Sequence, residues 1–233
     1  MATRYNYTGG IVTNGLVLNL DAAKTDSYPG TGTTWRDLSG FGNNGTLING
    51  PTFSGIGKQA SIVFDGVNDS VNIPNNPVLN FTGSVNLTSE VWIKFNQYKD
   101  ISIVNAKGNG GGQIKAYNYL FVGSNTSIAF RFSDGINDQS SPVISKFILP
   151  EGTWGHVVGV LDTTAIRLYL NGVEIGTATT RTINPKSNND SFLISSPSYA
   201  LNGNVAISRI YNRALTQQEI TQNFNATKGR FGL

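Results

Sequence analysis

The acid–base and metal chemistry open to this chain rests on few side chains: four Glu, ten Asp, one His and no Cys. Glycoside hydrolysis needs two carboxyl groups held at a fixed separation across the scissile bond. Glu90, Glu151, Glu174 and Glu219 are scattered, with no paired spacing among them. His156 has no Ser and Asp at triad-like spacing, and a structural place at the start of a strand is expected for it. The chain therefore reads as non-catalytic. The lone His and the missing Cys also exclude, on a single chain, a multi-His metal site, thiolate-held zinc and thiol catalysis.

Binding chemistry has more to work with. Asp37, Ser39 and Asn43 could form an oxygen cluster of the kind Ca²⁺ takes. The competing reading of Asp37 is an Asx-turn cap. Asp65 and Asp69 flank Gly66-Val67-Asn68, and Asp134 and Asp138 bracket a second acidic loop. Hairpin geometry accounts for both pairs. Sugar-binding surfaces join aromatic faces to planar polar groups. Trp92, Tyr169, Arg131 and Arg167 fall on outward strand positions, Tyr119 shares one face of its strand with Tyr117, and Trp92, Tyr169, Arg131, Arg167 and Tyr119 make up the candidate carbohydrate site. The alternative is that a second layer, a loop or a partner covers that face. The glycine-rich stretch 108–112 lacks the Lys and the strand–loop–helix setting of a phosphate loop.

The elements that would position these residues are strands. Runs at 16–20, 61–65, 70–73, 87–95, 101–106, 117–122, 127–133, 156–161, 165–170, 173–177, 192–195 and 205–211 are separated by turn chemistry such as Asp134-Gly135 and Asn171-Gly172. Alternation sorts the faces. Val91, Ile93 and Phe95 point one way, with Glu90, Trp92 and Lys94 the other. Ile128, Phe130 and Phe132 point inward, as do Ile166, Leu168 and Leu170. One helix is expected near the C-terminus. Thr216 and Glu219 have capping-box spacing, and Leu215, Ile220 and Phe224 form its apolar stripe.

Composition agrees with this many-stranded reading. Only 13% of residues are charged, and 27 Gly with abundant Asn, Thr and Ser favour turns over helices. The net charge of +3 comes without a run of Lys or Arg, so nucleic acid is not an expected partner. The N-terminus lacks an apolar leader, and no stretch is long and apolar enough for a membrane-spanning helix.

Four stretches, in order, resemble the laminin-G-like family of the concanavalin A-like superfamily. They are Asp37-Leu38-Ser39-Gly40-Phe41-Gly42-Asn43-Asn44-Gly45-Thr46, Phe64-Asp65-Gly66-Val67-Asn68-Asp69, the segment 154–172 from Trp154 to Asn171-Gly172, and Ile210-Tyr211-Asn212-Arg213-Ala214-Leu215-Thr216 with Glu219-Ile220. The resemblance implies an all-β, two-sheet antiparallel jelly-roll sandwich with one short C-terminal helix, spanning 16–233 behind an N-terminal arm at 1–15. It implies a binding or structural module, with Ca²⁺ as a cofactor in many members. The acidic residue such members place ahead of Ile210 is missing from Val205-Ala206-Ile207-Ser208, and the Glu-x-Asp-x-Glu motif of hydrolases with this fold is absent. The opening Gly15-Leu16-Val17-Leu18-Asn19-Leu20-Asp21-Ala22 and the Trp35 motif are similar to virion proteins of tailed phages, many of cyanobacterial hosts. That likeness implies a capsid decoration or tail-fibre protein at the virion surface. Its arm would dock on other virion subunits, in a homo-oligomer or particle-bound state, and it would bind a host surface glycan. The alternative is an extracellular carbohydrate-binding module.

Overall fold

The computed structural model describes residues 10–55, 59–108, 119–124, 127–145, 147–186 and 188–233, with 119–124 described in the backbone alone. In chain order the strands are β1 (Leu16–Asp21), β2 (Thr34–Trp35), β3 (Gly45–Ile48), β4 (Thr52–Ser54), β5 (Ser61–Asp65) and β6 (Ser70–Ile73). Then come β7 (Leu87–Gln97), β8 (Ile101–Lys107), β9 (Tyr119–Ser124), β10 (Ser127–Ser133), β11 (Asp138–Ser145) and β12 (Trp154–Leu161). The last are β13 (Ala165–Leu170), β14 (Val173–Glu174), β15 (Thr179–Thr180), β16 (Phe192–Ile194) and β17 (Asn202–Tyr211), followed by helix α1 (Gln217–Thr227).

These strands form two antiparallel sheets. The nine-stranded sheet runs β14-β13-β12-β7-β17-β5-β4, with β1 also on β17 and β15 on β13. The eight-stranded sheet runs β11-β10-β9-β8-β16-β6-β3-β2. The predicted inward rows meet between them. Val91, Ile93 and Phe95 pack with Ile128, Phe130, Phe132, Ile166, Leu168 and Phe192 in one buried core. Period-two alternation fixes this, since a one-residue slip would turn every apolar side chain outward. Close approach across the core needs Gly159 on β12. A Cβ there would lie 2.3 Å from Phe130 Cγ.

Some boundaries differ from the sequence reading. The strand expected at 173–177 ends at Glu174, because Gly176 turns the chain at φ +68° before β15. Strand β11 is not evident from the sequence. It carries four Ser or Pro positions in eight and no clean alternation, yet Pro142 sits comfortably on an edge strand. The C-terminal helix begins as expected. Thr216 Oγ1 accepts from Glu219 N–H at 3.3 Å, and Glu219 Oε2 accepts from Thr216 N–H at 2.9 Å. No helix among the described residues is long and apolar enough to cross a membrane.

Candidate functional site

The predicted carbohydrate residues are not brought together. Trp92, Tyr169 and Arg167 lie on the nine-stranded sheet, while Arg131 and the backbone of Tyr119 belong to the eight-stranded sheet on the other side of the core. The Tyr119 side chain lies outside the described residues. Trp92 is fully buried. Its ring stacks on Phe231 at 4.0 Å and on Phe224 at 5.9 Å, and its Nε1 donates to Thr227 Oγ1 at 2.9 Å. Tyr169 is buried among Val158, Tyr211, Leu215 and Ile220, and burial, helped by the charge of Glu174, pushes its hydroxyl up to about 12. Arg167 is tied to Asp162 and lies 3.5 Å from Glu174. The five residues therefore do not share one face. The outward face of the nine-stranded sheet, to which alternation assigned Trp92 and Tyr169, is occupied by α1 and by the 3-10 turn Lys228–Arg230 that follows it.

Beneath that lid lies a polar cluster that sequence reasoning missed. Asn19, Arg209, Glu90, Val158 and Tyr169 are successive cross-strand partners over β1, β17, β7, β12 and β13. Arg209 Nη1 donates to Glu90 Oε1, and Arg209 Nε donates to Asn19 Oδ1 at 3.1 Å. Asn223 of α1 donates to the second Glu90 oxygen at 2.6 Å, and His156 Nε2 lies 3.2 Å from the first. Burial alone would raise the Glu90 carboxyl. The charge of Arg209, the neighbouring His156 and the Asn223 hydrogen bond outweigh it and hold the group at about 2. The signal in the sequence is a lone Glu and a lone Arg, each set in an apolar strand: two unpaired buried charges would be prohibitive, so they must meet. His156 is fully buried beside the Glu90 carboxylate, its ring 5.1 Å from that of Trp92.

The trio Asp37, Ser39 and Asn43 does come together, as a hydrogen-bonded loop around the Asp37 carboxylate. Asp37 Oδ1 accepts from the N–H groups of Asn19 at 2.8 Å and Ser39 at 2.9 Å. Its Oδ2 accepts from Ser39 Oγ at 2.6 Å and Asn43 N–H at 3.0 Å. Asn43 Nδ2 donates to Val17 carbonyl oxygen at 2.7 Å. Four donors already converge on the carboxylate, so its lone pairs pin the loop to β1. Among the described residues no group of three His, Asp or Glu is placed to hold a metal. The Asp65 and Asp69 carboxylates likewise organise a hairpin. Asp69 Oδ2 accepts from Asp65 N–H at 3.0 Å and Asp65 Oδ1 from Val67 N–H at 2.8 Å.

Among the described residues, the outer side of the eight-stranded sheet is covered at Ile103 and Ala106, which are buried against Tyr199, and is open toward its β3–β6–β16 end. Across this sheet Thr46, Asn72, Leu193, Ala106, Leu120 and Arg131 are successive register partners from β3 to β10. Over the β3–β6–β16 end lies a groove of about 600 Å³, lined by Ile48, Ser70, Asn72, Asp190, Ser191, Leu193, Pro197 and Ser198. One wall is the connection from β16 to β17, which is firmly tied down. Ser195, at φ +60°, donates its N–H to the Val104 carbonyl at 3.1 Å, and its Oγ accepts from Leu201 N–H at 3.0 Å. Ile103 N–H donates to the Tyr199 carbonyl at 2.9 Å. The groove offers hydroxyls, an amide and a carboxylate beside the aliphatic surfaces of Ile48 and Leu193.

A two-sheet sandwich with this register order and C-terminal lid accompanies a sequence profile match over residues 65–221 to a laminin-G-type family of the concanavalin A-like lectin/glucanases superfamily. The chain belongs to that family. No curated protein sequence matches it significantly. The laminin-G-type sandwich is similar in fold to the binding domain of Paraclostridial Mosquitocidal Protein 1, with a TM-score of 0.72 at 17% identity, covering 92% of this chain and 52% of that one. It is similar to the botulinum neurotoxin serotype D ligand binding domain in complex with N-acetylneuraminic acid, with a TM-score of 0.72 at 12% identity, covering 92% and 51%. It is also similar to Trypanosoma rangeli sialidase, with a TM-score of 0.62 at 18% identity, covering 93% and 33%. The laminin-G-type chain thus spans about half the length of the toxin binding domains and a third of the sialidase.

Proposed function

We propose that this chain is a non-catalytic glycan-binding module whose binding surface is the groove on the eight-stranded sheet. The observation that carries the reading is the asymmetry of the sandwich. One outer face is sealed by α1 and stacked aromatics, while the other holds a groove with the hydrogen-bonding groups and aliphatic patches that a sugar ring needs. Two of the fold neighbours are toxin binding domains, one of them in complex with N-acetylneuraminic acid, which supports a recognition role. The glutamates support the absence of catalysis. Glu90 is buried in ion pairs, Glu151 accepts from Tyr98 N–H, Glu174 lies beside Arg167, and Glu219 is bidentate with Arg213. A glycan array with the purified chain tests this: retention of oligosaccharides that is lost in a groove variant is expected, and uniform absence of retention would remove the reading.

We further infer display on a larger particle, with a virion surface as the setting the opening motif suggests. Gly10 and Val12 are tied to α1 through Gln222 and Asn223, at 2.8 Å each, on the face opposite the groove. Attachment through residues 1–9 would leave the groove facing outward. Deleting residues 1–9 should abolish incorporation into particles while leaving glycan binding intact, and unchanged incorporation would remove this part of the proposal.

A further inference from the structure

The charge of the groove bears on which glycans it takes, and this inference rests on the glycan reading above. Asp190 is the one charged side chain among the described residues that line it. The other polar groups are the hydroxyls of Ser70, Ser191 and Ser198 and the amide of Asn72, all neutral. Recognition of a carboxylate in water relies on charge-assisted hydrogen bonds, above all from a guanidinium or an ammonium. Among the described residues, nothing lining the groove supplies one. Lys107 does not, because it is fully buried and its ammonium donates to the backbone carbonyl of Asp190 and, at 2.7 Å, to Asn75 Oδ1. Arg131 is the basic residue in register on this face, three strands beyond Leu193. At strand spacing it lies about 14 Å away, beyond the screening length at physiological salt. It also has Asp138 beside it, at 4.0 Å.

We infer that the groove selects neutral glycans and discriminates against sialylated ones, in contrast to the N-acetylneuraminic acid complex of the serotype D neighbour. Asp190 contributes to both halves of that choice. Its carboxylate accepts hydrogen bonds from sugar hydroxyls, and it repels a second carboxylate brought alongside. Two like charges about 4 Å apart in bulk water weaken binding roughly fivefold, and more where the walls exclude water.

The test is an array of oligosaccharides in matched pairs that differ only in a terminal sialic acid, lactose and sialyllactose among them, read at physiological salt with wild type and Asp190→Asn. Asp190 is exposed, so the isosteric change leaves its backbone bonds in place. Neutral members are expected to be retained, and their sialylated partners to bind at least fivefold more weakly. Asp190→Asn should narrow that gap. Equal or tighter binding of the sialylated members would overturn the charge selection and leave the glycan reading standing. Retention of neither set would remove both.

Discussion

Glu90 and Arg209 stand directly opposite each other on β7 and β17, and both are buried beneath α1. This pair is the polar keystone of an otherwise apolar interface between sheet and helix. Asn223 reaches down from α1 to the same carboxylate, and also donates to Tyr211 Oη at 2.9 Å. Replacing one partner strands the other charge out of water, at a cost of about 3–5 kcal/mol. Glu90→Gln or Arg209→Met should each lower the unfolding free energy read from urea titrations by that order. A double replacement with well-packed apolar residues should cost far less than the sum of the two singles. Additive losses would show that the pair is not coupled.

The same carboxylate sets an acid transition. Its folded value of about 2 lies below the ordinary 4.5, so the proton binds the unfolded chain more tightly. The stabilisation is complete above the unfolded value and is lost as pH falls through the folded one, on the order of 3 kcal/mol between about pH 5 and pH 2. Glu219, held at about 2 by the Arg213 guanidinium, adds to the same window. Denaturant titrations across that range should show a steep loss for the wild type and a shallower one for Glu90→Gln. Parallel curves would place the acid sensitivity elsewhere.

Loss of the cap should loosen the lid without opening the sandwich. Thr216→Ala removes the acceptor for Glu219 N–H, at a cost of about 1 kcal/mol. Because α1 and the turn after it cover Trp92, fraying should show as red-shifted tryptophan emission and faster amide exchange in residues 217–231, with the core strands still protected. Uniform exchange throughout would mean that the lid and sandwich unfold as one unit.

Calcium should leave stability unchanged at the Asp37 loop. All four bonds on that carboxylate come from protein donors. Millimolar Ca²⁺ or EDTA should not shift the melting temperature, whereas Asp37→Ala should destabilise by about 1–3 kcal/mol because it orphans the Asn19, Ser39 and Asn43 N–H groups. A rise in melting temperature with Ca²⁺ that disappears in Asp37→Ala would restore the ligand reading.

The core was legible from the sequence because Val91, Ile93 and Phe95 alternate without interruption, and a period of two has one solution when one face is buried. The capping box was legible because Thr216 and Glu219 satisfy each other locally. The fate of Trp92 was not. Alternation says that it faces away from Phe95, but what lies over it is decided by Phe224, Thr227 and Phe231, more than 130 residues further along the chain. The groove was illegible for a related reason. Ile48, Ser70, Asn72, Asp190 and Pro197 come from separate short segments, and small polar residues carry no spacing signature until the β3–β6–β16 pairing sets them side by side.

The two faces can be told apart by a pair of substitutions with opposite profiles. Trp92 fills space between the sheet and the lid, so Trp92→Ala should cost about 3–5 kcal/mol of stability through the cavity it leaves. Where the protein remains folded at low temperature, its glycan retention should be preserved, since the groove lies across the core. Asn72 is half-buried on the groove floor, on the outer side of its sheet, so Asn72→Ala should change the urea midpoint little. It should weaken glycan binding by about fivefold to tenfold, the usual worth of one well-placed hydrogen bond. If Trp92→Ala abolished binding in a folded protein while Asn72→Ala left it untouched, the site would lie under the helix, and the lid would have to open for a ligand to enter.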